Sequence, residues 1–409
     1  MEEWRPRKRG TGSGCRKHPC DETRNGVMKM KLLHTSDWHL GAMDHVRSLK
    51  EDQEFFVDQI GKIVQEKQVD AVMIAGDVYD RSVASAEAVK LYDGAMTALC
   101  KELGVPVLLI AGNHDSAERL ATCSTLLASS GLHICGALTR EPSVVSFDDT
   151  DVYLLPWITE AKVKSVFPEK AEEIESIEDA YRVVTDTMRD TFDPHKRHIV
   201  LAHAFITNSE TSTSDRAAEI GFATQVSASV FERFDYVALG HLHKPQDVTD
   251  TVRYSGTPMP YSFGREETHE KSVTIVDTAT MEREIVPLTL LHRRATLTGT
   301  LAELLHPTCD EDVKNGFVWT KVTDEVVGNF VREQLEEVYP NLLEVSGQIF
   351  GSENVAVSMT AEELEKFQST PVEVFRQYCC DVMDMEADEH LCALFEAAVA
   401  AYEEQEATK

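Results

Sequence analysis

The sequence lacks the features that mark membrane and secreted proteins. It has no run of eighteen or more apolar residues, so no segment suits a membrane-spanning helix. The first residues, MEEWRPRKRGTGSGCRKHPCDETRNG, include no apolar stretch of the kind found in secretory signals. The nine cysteines form no CxxC pair, which is typical of reduced thiols. We therefore expect a cytoplasmic protein.

Basic residues are also scarce. The chain has 40 Lys and Arg against 70 Asp and Glu, a net charge of −30, whereas nucleic-acid-binding surfaces are usually basic. However, residues 310–409 hold 23 Asp and Glu against 6 Lys and Arg, so −17 of this charge lies in the last hundred positions. Bound divalent cations would also make a cleft locally positive. Net charge therefore does not exclude a nucleic-acid substrate.

The 409 residues suggest more than one domain. Residues 1–28 are basic and without periodicity, which predicts a disordered tail. From residue 30 to about 136, short apolar runs alternate with amphipathic stretches, as in parallel βαβ units. The predicted strands are KLLHTS, AVMIAG and VPVLLIAG, and the predicted helices are SLKEDQEFFVDQIGKIVQEK, ASAEAVKLYDGAMTALCKEL and SAERLATCSTLLASSG.

Further short strands and a charged insertion at 160–190 continue this pattern. They predict an α/β fold with a mixed, two-layered core over residues 29–290. A smaller α/β unit is expected at 291–350, with VWTKVTD as a strand and a helix that ends before Pro340. Residues 351–409 are predicted to be helical, because apolar residues between Leu391 and Tyr402 recur at helical spacing.

Five short polar motifs each follow a predicted strand. They are SDWHLG (36–41), GDVYD (76–80), GNHD (112–115), AHA (202–204) and GHLH (240–243). In open α/β sheets, ligands bind at the carboxyl ends of the strands. The motifs provide seven candidate metal ligands, namely Asp37, His39, Asp77, Asn113, His203, His241 and His243.

This set of side chains suits a pair of divalent cations that clamps a phosphodiester. Two cations that close need a bridging carboxylate, and Asp77 is the natural candidate. Asp37 and His39 are two residues apart, as are His241 and His243, so each pair can reach the cations from one turn. Mixed imidazole and carboxylate ligands favour Mn²⁺, Fe²⁺ or Zn²⁺ over Mg²⁺ or Ca²⁺.

Each motif alone also has a purely structural explanation, such as turn chemistry for GD or a packed core histidine for His203. The ordered set after successive strands favours the metal interpretation. His114 is expected to act on the scissile phosphate or the leaving oxygen rather than as a required ligand. Asp115 is predicted either to orient His114 or to cap the following helix.

The order DxH, GDxxD, GNHD, H and GHxH resembles that of the calcineurin-like metallophosphoesterase superfamily. Longer stretches narrow the resemblance to the family of SbcD-type nuclease subunits, namely HTSDWHLG, AGDVYDRS, AGNHDS, ALGHLHKPQ and YSGTPMPYSFGREETHEKS. The resemblance runs from about residue 30 to the C-terminus and is strongest up to residue 280. The N-terminal extension departs from the family pattern.

The resemblance implies a β-sandwich flanked by helices that binds two metal ions. One ion would be held by Asp37, His39, Asp77 and His243. The other would be held by Asp77, Asn113, His203 and His241, with His114 catalytic.

The resemblance also implies an activity and partners. The expected activity is Mn²⁺-dependent, ATP-dependent cleavage of DNA ends and hairpins, as a double-strand exonuclease and single-strand endonuclease associated with the nucleoid. The expected partner is an SbcC-type coiled-coil ATPase in a two-plus-two heterotetramer. Helices 84–103 and 116–130 would form a homodimer contact, 291–350 would cap the site, and 351–409 would bind the ATPase.

Two other functions fit parts of the sequence. A phosphomonoesterase or cyclic-nucleotide phosphodiesterase would use the same metal chemistry, but it would not need the chain after residue 290. A non-catalytic scaffold for DNA ends would keep the fold and typically lose ligands, whereas all seven are present.

Overall fold

A computed structural model describes residues 30–44, 47–212, 215, 225–324, 327–347, 392 and 395. The predicted tail, 1–28, lies outside the described residues, and so does the predicted helical segment 351–409 apart from Cys392 and Phe395. None of the described helices is long and apolar enough to cross a membrane.

The first sheet is mixed and has six strands. In spatial order they are Arg283–Pro287 (β16), Ser272–Asp277 (β15), Lys31–Thr35 (β1), Ala71–Ile74 (β4), Val107–Ile110 (β5) and Leu132–Cys135 (β6). Strands β1, β4, β5 and β6 are parallel, and β15 and β16 join as antiparallel neighbours.

The second sheet has the same mixed character. Its strands, in spatial order, are Gln246–Asp247 (β13), Val252–Tyr254 (β14), Tyr236–Gly240 (β12), Arg197–His203 (β9), Thr150–Leu155 (β8) and Val144–Ser146 (β7). The four central strands are parallel, and β13 and β7 are antiparallel edges. Two short pairs accompany the sheets, namely Met43–Asp44 (β2) with Arg47–Ser48 (β3) and Phe205–Ile206 (β10) with Gln225–Val226 (β11).

Helices cover the outer faces of both sheets. Lys50–Glu66 (α1) and Ala86–Met96 (α2), which continues as a π-helical turn at Thr97–Glu102, pack on the first sheet. The second sheet is covered by Glu160–Val166 (α5) and Ile177–Arg189 (α6), so the charged insertion is helical. Apolar residues of both inner faces form the core between the sheets. The predicted two-layered sandwich flanked by helices is therefore confirmed.

The single helix predicted over 116–131 is wrong. The segment forms two short helices, Ala117–Leu120 (α3) and Ser124–Ala128 (α4), with Cys123 at a φ of +59° between them. Around the break, backbone hydrogen bonds span three residues instead of four. Leu120 is buried in the core, whereas Leu126 is exposed. A continuous amphipathic helix would bury its apolar residues along one stripe, and the break at Cys123 interrupts that stripe.

A small parallel sheet follows the sandwich. Its strands are Arg294–Gly299 (β17), Phe317–Val322 (β18) and Leu342–Ser346 (β19). The helices Leu301–Leu305 (α7), Glu311–Lys314 (α8) and Asn329–Val338 (α9) accompany it, and it has an apolar cluster of its own. The expected strand and the helix before Pro340 are present, whereas the capping role remains a prediction.

Buried polar contacts join the two large sheets. His34 of β1 is fully buried, and its Nδ1 and Nε2 lie 2.9 Å from Tyr236 Oη and 3.1 Å from the Leu239 carbonyl oxygen. Burial lowers the pKa of His34 to about 3, so the ring is neutral and makes one donated and one accepted hydrogen bond. Nearby, Arg253 Nε donates to Thr274 Oγ1 at 2.9 Å. The His34 contacts thus join β1 to β12, and the Arg253 contact joins β14 to β15.

We expect His34→Ala to destabilise the protein by about 2 to 4 kcal/mol, because it leaves a cavity and two buried polar groups without their partner. Urea unfolding followed by circular dichroism measures this loss. His195→Ala, at an exposed histidine, is the matched control and should change stability by less than about 0.5 kcal/mol. Equal stability of the two variants would contradict a joining role for His34.

Candidate metal centre

The predicted site residues meet at the carboxyl ends of five parallel strands. Asp37 and His39 follow β1, Asp77 follows β4, and Asn113 follows β5. On the second sheet, His203 is the last residue of β9, while His241 and His243 follow β12. The two sheets therefore place their ligand-bearing loops at the same end of the sandwich.

Backbone hydrogen bonds continue past the ends of β1 and β4. Asp37 N–H donates to the Gly76 carbonyl and His39 N–H donates to the Asp77 carbonyl, both at 3.0 Å. Across the sandwich, His241 N–H donates to Asp37 Oδ1 at 3.0 Å. The chain thus fixes Asp37 between the loops of both sheets before any ligand binds.

The loops adopt backbone conformations that side chains other than glycine rarely take. Asp37, His39, Asp77 and His241 have φ values of +53°, +43°, +47° and +104°. Such strain persists only where the surrounding structure enforces it, and it clusters at functional sites. Position 112 has no room for a side chain, because a Cβ there would lie 2.1 Å from Asp77 Oδ1.

Asp77 lies at the centre of the group. Its Oδ2 is 3.4 Å from His203 Nε2 and 3.9 Å from His39 Nε2, and its Oδ1 accepts the His114 N–H at 2.9 Å. On one side, His39 Nε2 lies 3.2 Å from His243 Nε2. Asp37, His39 and His243 have ligand atoms within 4.8 Å of one another, as have Asp37, Asp77 and His203.

Asn113 joins the remaining two histidines. Its Oδ1 lies 2.8 Å from His203 Nε2 and 3.1 Å from His241 Nδ1. His203 Nδ1 donates to the Ala75 carbonyl at 2.7 Å, which turns Nε2 toward Asp77 and Asn113. All seven predicted residues therefore belong to one continuous cluster.

Three of the histidines are neutral in the metal-free chain. Burial lowers the pKa of His39 and His241 to about 3 and that of His243 to about 4. A neutral imidazole has an unshared electron pair on one nitrogen, which is the form that binds metal ions. These rings need lose no proton to bind a cation at neutral pH.

Burial and neighbouring charges also shift the pKa values of the two carboxyl groups and of His203. Burial raises the pKa of Asp37 to about 8. For Asp77, burial acts upward but is outweighed by His203, His114 and His39, so its pKa lies well below the usual range. For His203, burial acts downward but is outweighed by Asp77, which raises its pKa to about 9. His203 thus supplies the positive charge beside Asp77.

The donor set fits divalent cations. Two buried carboxylates and four buried imidazoles face one another with the Asn113 oxygen, and the Nε2 atoms of His39 and His243 point at each other. Asp77 Oδ2 lies between the two halves of the set. This arrangement suits a carboxylate shared by two cations.

His114 lies beside this cluster. Its Nδ1 donates to the Asp80 carbonyl at 2.8 Å, and its Nε2 lies 3.9 Å from Asp77 Oδ2. Its ring meets that of His39 edge to face, with centroids 4.7 Å apart. His39, Asp77 and His114 also have ligand atoms within 4.8 Å of one another, so direct contact with a cation is geometrically possible.

The expectations for Asp115 need correction. The N-cap of α3 is Ser116, not Asp115. The Asp115 carboxylate instead accepts the N–H groups of Val78, Tyr79 and Gly112 at 3.1, 3.0 and 2.9 Å. The Nδ1 of His114 is oriented by the Asp80 carbonyl. Asp115 therefore holds together the loops that carry Asp77 and Asn113.

Sequence reasoning missed two aromatic residues at the site. Trp157 stacks on His241, with centroids 5.3 Å apart and planes at 26°. Tyr261 packs edge-on against His39, and its hydroxyl donates to the Trp38 carbonyl. Trp157 follows β8, so the strand-end rule that found the other residues could have found it as well. Tyr261 follows no strand and gave no such signal.

Comparisons with known proteins show the family of the chain. The model of the calcineurin-like phosphoesterase family matches residues 30–245. The D subunit of nuclease SbcCD from Staphylococcus epidermidis is 32% identical over 330 residues, which are 80% of this chain and 87% of that protein.

Two solved structures are more distant. The protein TT1561 of Thermus thermophilus is 12% identical with a TM-score of 0.36, and a dimetal phosphatase from Danio rerio is 11% identical with a TM-score of 0.38. Each alignment covers 64% of this chain and 99% of the other. Both scores lie below 0.5, so neither likeness bears on function.

The chain therefore belongs to the calcineurin-like phosphoesterase family, and within it to the SbcD nuclease subunits. It is a metal-dependent phosphodiester hydrolase, and the resemblance recognised in its motifs is confirmed.

Metal binding should release protons. Asp37 and His203 are protonated near pH 7 in the metal-free chain, because their pKa values are raised to about 8 and about 9. A cation competes with those protons, so metal affinity should rise as pH increases from 7 to 9 and level off above that range. Calorimetric titration with Mn²⁺ in buffers of different ionisation enthalpy measures the release. Affinity that is constant over this range would contradict the assignment.

Proposed function

We propose that the chain is a two-metal DNA nuclease that uses Mn²⁺. The observation that carries the proposal is the position of Asp77 Oδ2, which lies 3.9 Å from His39 Nε2 and 3.4 Å from His203 Nε2. In this assignment Asp37, His39, Asp77 and His243 hold one ion, while Asp77, Asn113, His203 and His241 hold the other.

The ions, when bound, would withdraw electrons from the phosphodiester and supply a nucleophile for in-line attack. Two divalent cations carry four positive charges, and Asp37 and Asp77 neutralise two of them. The remaining charge attracts an anionic substrate despite the acidic chain. Asn113 contributes an oxygen without reducing that charge further.

His114 is the proposed catalytic residue. Its Nδ1 is held by the Asp80 carbonyl, which leaves Nε2 facing the cluster. When the ring also carries a proton on Nε2, that nitrogen can donate it to the leaving oxygen and return to the neutral form, or it can stabilise negative charge on the phosphate. Asp115 contributes by positioning, since it holds the backbone around Asp77 and Gly112.

DNA is the proposed substrate because of the relative's name and because of the chain beyond the sandwich. The Staphylococcus relative is named as part of a nuclease. The small sheet after residue 290 contacts the sandwich through Arg294 and Asp44 and through Thr296 and Glu267. A nucleotide phosphatase would not need this unit, whereas a nuclease can use it to restrict access to the cations.

We further propose ATP-dependent exonuclease and hairpin endonuclease activity at the nucleoid, with an SbcC-type coiled-coil ATPase in a two-plus-two assembly. The support is that the relative is named as the D subunit of SbcCD. Residues 351–409 are the proposed binding segment for the ATPase.

His114→Ala should lower the rate of cleavage of linear duplex DNA about a hundredfold or more, because the variant loses a proton donor. Its Mn²⁺ content should stay unchanged, because His114 is not a required ligand. Metal analysis and nuclease assays are made on the same sample, with and without the ATPase. Asp77→Asn is the contrasting variant and should lose metal as well as activity.

Three results would overturn this proposal. Loss of metal from His114→Ala would make His114 a ligand. Turnover of nucleotide monoesters or cyclic nucleotides but not DNA would favour the alternative phosphatase or phosphodiesterase. If the metal-loaded wild-type protein cleaves neither DNA nor small phosphate esters, the protein is a non-catalytic scaffold for DNA ends.

A homodimer through segments 84–103 and 116–130 is also proposed. Val83, which directly precedes the first segment, and Leu126 in the second are 68% and 73% exposed, and exposed apolar patches mark protein contact sites. Val89 on α2 is also exposed, and Arg119 Nη1 donates to the Ser82 carbonyl, which places the second segment next to the turn that precedes the first. The broken helix α3–α4 leaves Leu126 outside the core.

Val83→Asp combined with Leu126→Asp should convert a dimer to a monomer, because charges would be buried without partners at the contact. Light scattering after size-exclusion chromatography gives the mass. Phe330→Asp is the control, since Phe330 is equally exposed at 71% but lies on α9 in the small unit. A dimer that survives the double substitution would contradict this contact.

A further inference from the structure

A buried ion pair lies directly behind His243. Glu266 and Lys271 are 1% and 2% exposed, and Lys271 Nζ lies 3.1 Å from Glu266 Oε1. Residues 262–271 contribute none of the seven predicted ligands, and the proposed reaction assigns this pair no part. Charges this deeply buried are costly unless they are well paired, so their position calls for a physical reason.

The two ring nitrogens of His243 face different surroundings. Nε2 points into the cluster, 3.2 Å from His39 Nε2. Nδ1 points away from it and lies 3.7 Å from both Glu266 Oε1 and Asp215 Oδ1. The ring therefore stands between the metal centre and two carboxylates.

The main chain of His243 is held by the same groups. Its carbonyl oxygen lies 3.3 Å from Lys271 Nζ, which also donates to Thr257 Oγ1 at 2.7 Å. Its N–H donates to Asp215 Oδ1 at 3.2 Å. Buried charged side chains thus hold the backbone of His243 by hydrogen bonds, while the ring faces two carboxylates at 3.7 Å.

Glu266 is itself fixed in place. Its Oε2 accepts the N–H groups of Tyr261 and Ser262, both at 2.9 Å. Its Oε1 is thereby directed toward Lys271 and His243. The carboxylate cannot turn away without breaking these bonds.

The equivalent position behind His203 is different. His203 Nδ1 donates to the neutral carbonyl of Ala75 at 2.7 Å. A carboxylate behind a metal-binding imidazole orients the ring and makes it a stronger electron donor than a neutral partner does. The two halves of the cluster therefore differ in the groups behind their histidines.

We propose that Glu266 is a positioning residue that strengthens the binding of the cation held by His243, and that Lys271 fixes Glu266 in that role. The inference rests on the proposed assignment of His243 as a metal ligand. It makes the two cation sites unequal, with the His243 site the one whose affinity depends on an outer carboxylate.

A purely structural role is the competing explanation, because removing one partner of a buried ion pair leaves the other uncompensated. Two variants separate the roles. Glu266→Gln keeps an acceptor for Tyr261 and Ser262 but removes the Glu266 charge behind His243. Glu266→Gln with Lys271→Met removes both charges of the pair, which relieves the unpaired lysine and still leaves His243 without the Glu266 carboxylate, with Asp215 unchanged.

The test is Mn²⁺ titration of the metal-free full-length protein by calorimetry, with thermal stability measured in parallel. His243→Ala identifies the binding event that belongs to its site. We expect Glu266→Gln to weaken that event by about 10- to 100-fold and to leave the other within about threefold. The double variant should recover stability but not affinity.

Glu267→Gln is the matched control. Glu267 is the neighbouring carboxylate, and it accepts hydrogen bonds from Thr296 N–H and Oγ1 instead of facing His243. This variant should leave both binding events unchanged.

The possible outcomes are distinct. Two Mn²⁺ events that Glu266→Gln leaves unchanged, or that the double variant restores, would overturn the positioning role and leave the proposed function standing. A loss of affinity in Glu267→Gln equal to that in Glu266→Gln would overturn it as well. Wild type that binds no Mn²⁺ would defeat the proposed function and this inference with it.

Discussion

The buried carboxylate of Asp77 is the charge around which the site is arranged. It is 2% exposed, and an isolated carboxylate at such a depth would be strongly destabilising. In the metal-free chain His203 supplies the compensating positive charge, as the raised pKa of its ring indicates. Two cations would take over this compensation and would release the proton of His203. The site is therefore arranged around one buried negative charge, which His203 compensates in the metal-free chain.

Much of this arrangement was predictable from the sequence. Parallel strands place the residues that follow them at one edge of a sheet, so polar motifs after apolar runs indicated Asp37, Asp77, Asn113 and the histidines together. The same periodicity indicated the mixed, two-layered α/β core, the helices α1 and α2, and the strand and helix of the small unit, whereas the sandwich was implied by the resemblance. These features follow from local patterns, which a sequence displays directly.

Features that depend on distant partners could not be predicted in this way. Asp115 was expected to act locally, but it binds the backbone of a loop 37 residues away. The break at Cys123 gives no signal in composition, since neither glycine nor proline marks it. Glu266 and Lys271 stand in a polar stretch that resembles a surface loop, and only the packing of both sheets buries them behind His243.

The central claim is that Asp77 is shared by two cations. The most direct measurement is X-ray diffraction at the manganese absorption edge from crystals grown with Mn²⁺. We predict two anomalous peaks about 3.5 to 4 Å apart, with the Asp77 carboxylate between them and His243 and His203 on opposite sides. A single peak, or a pair of peaks that Asp77 does not bridge, would contradict the account.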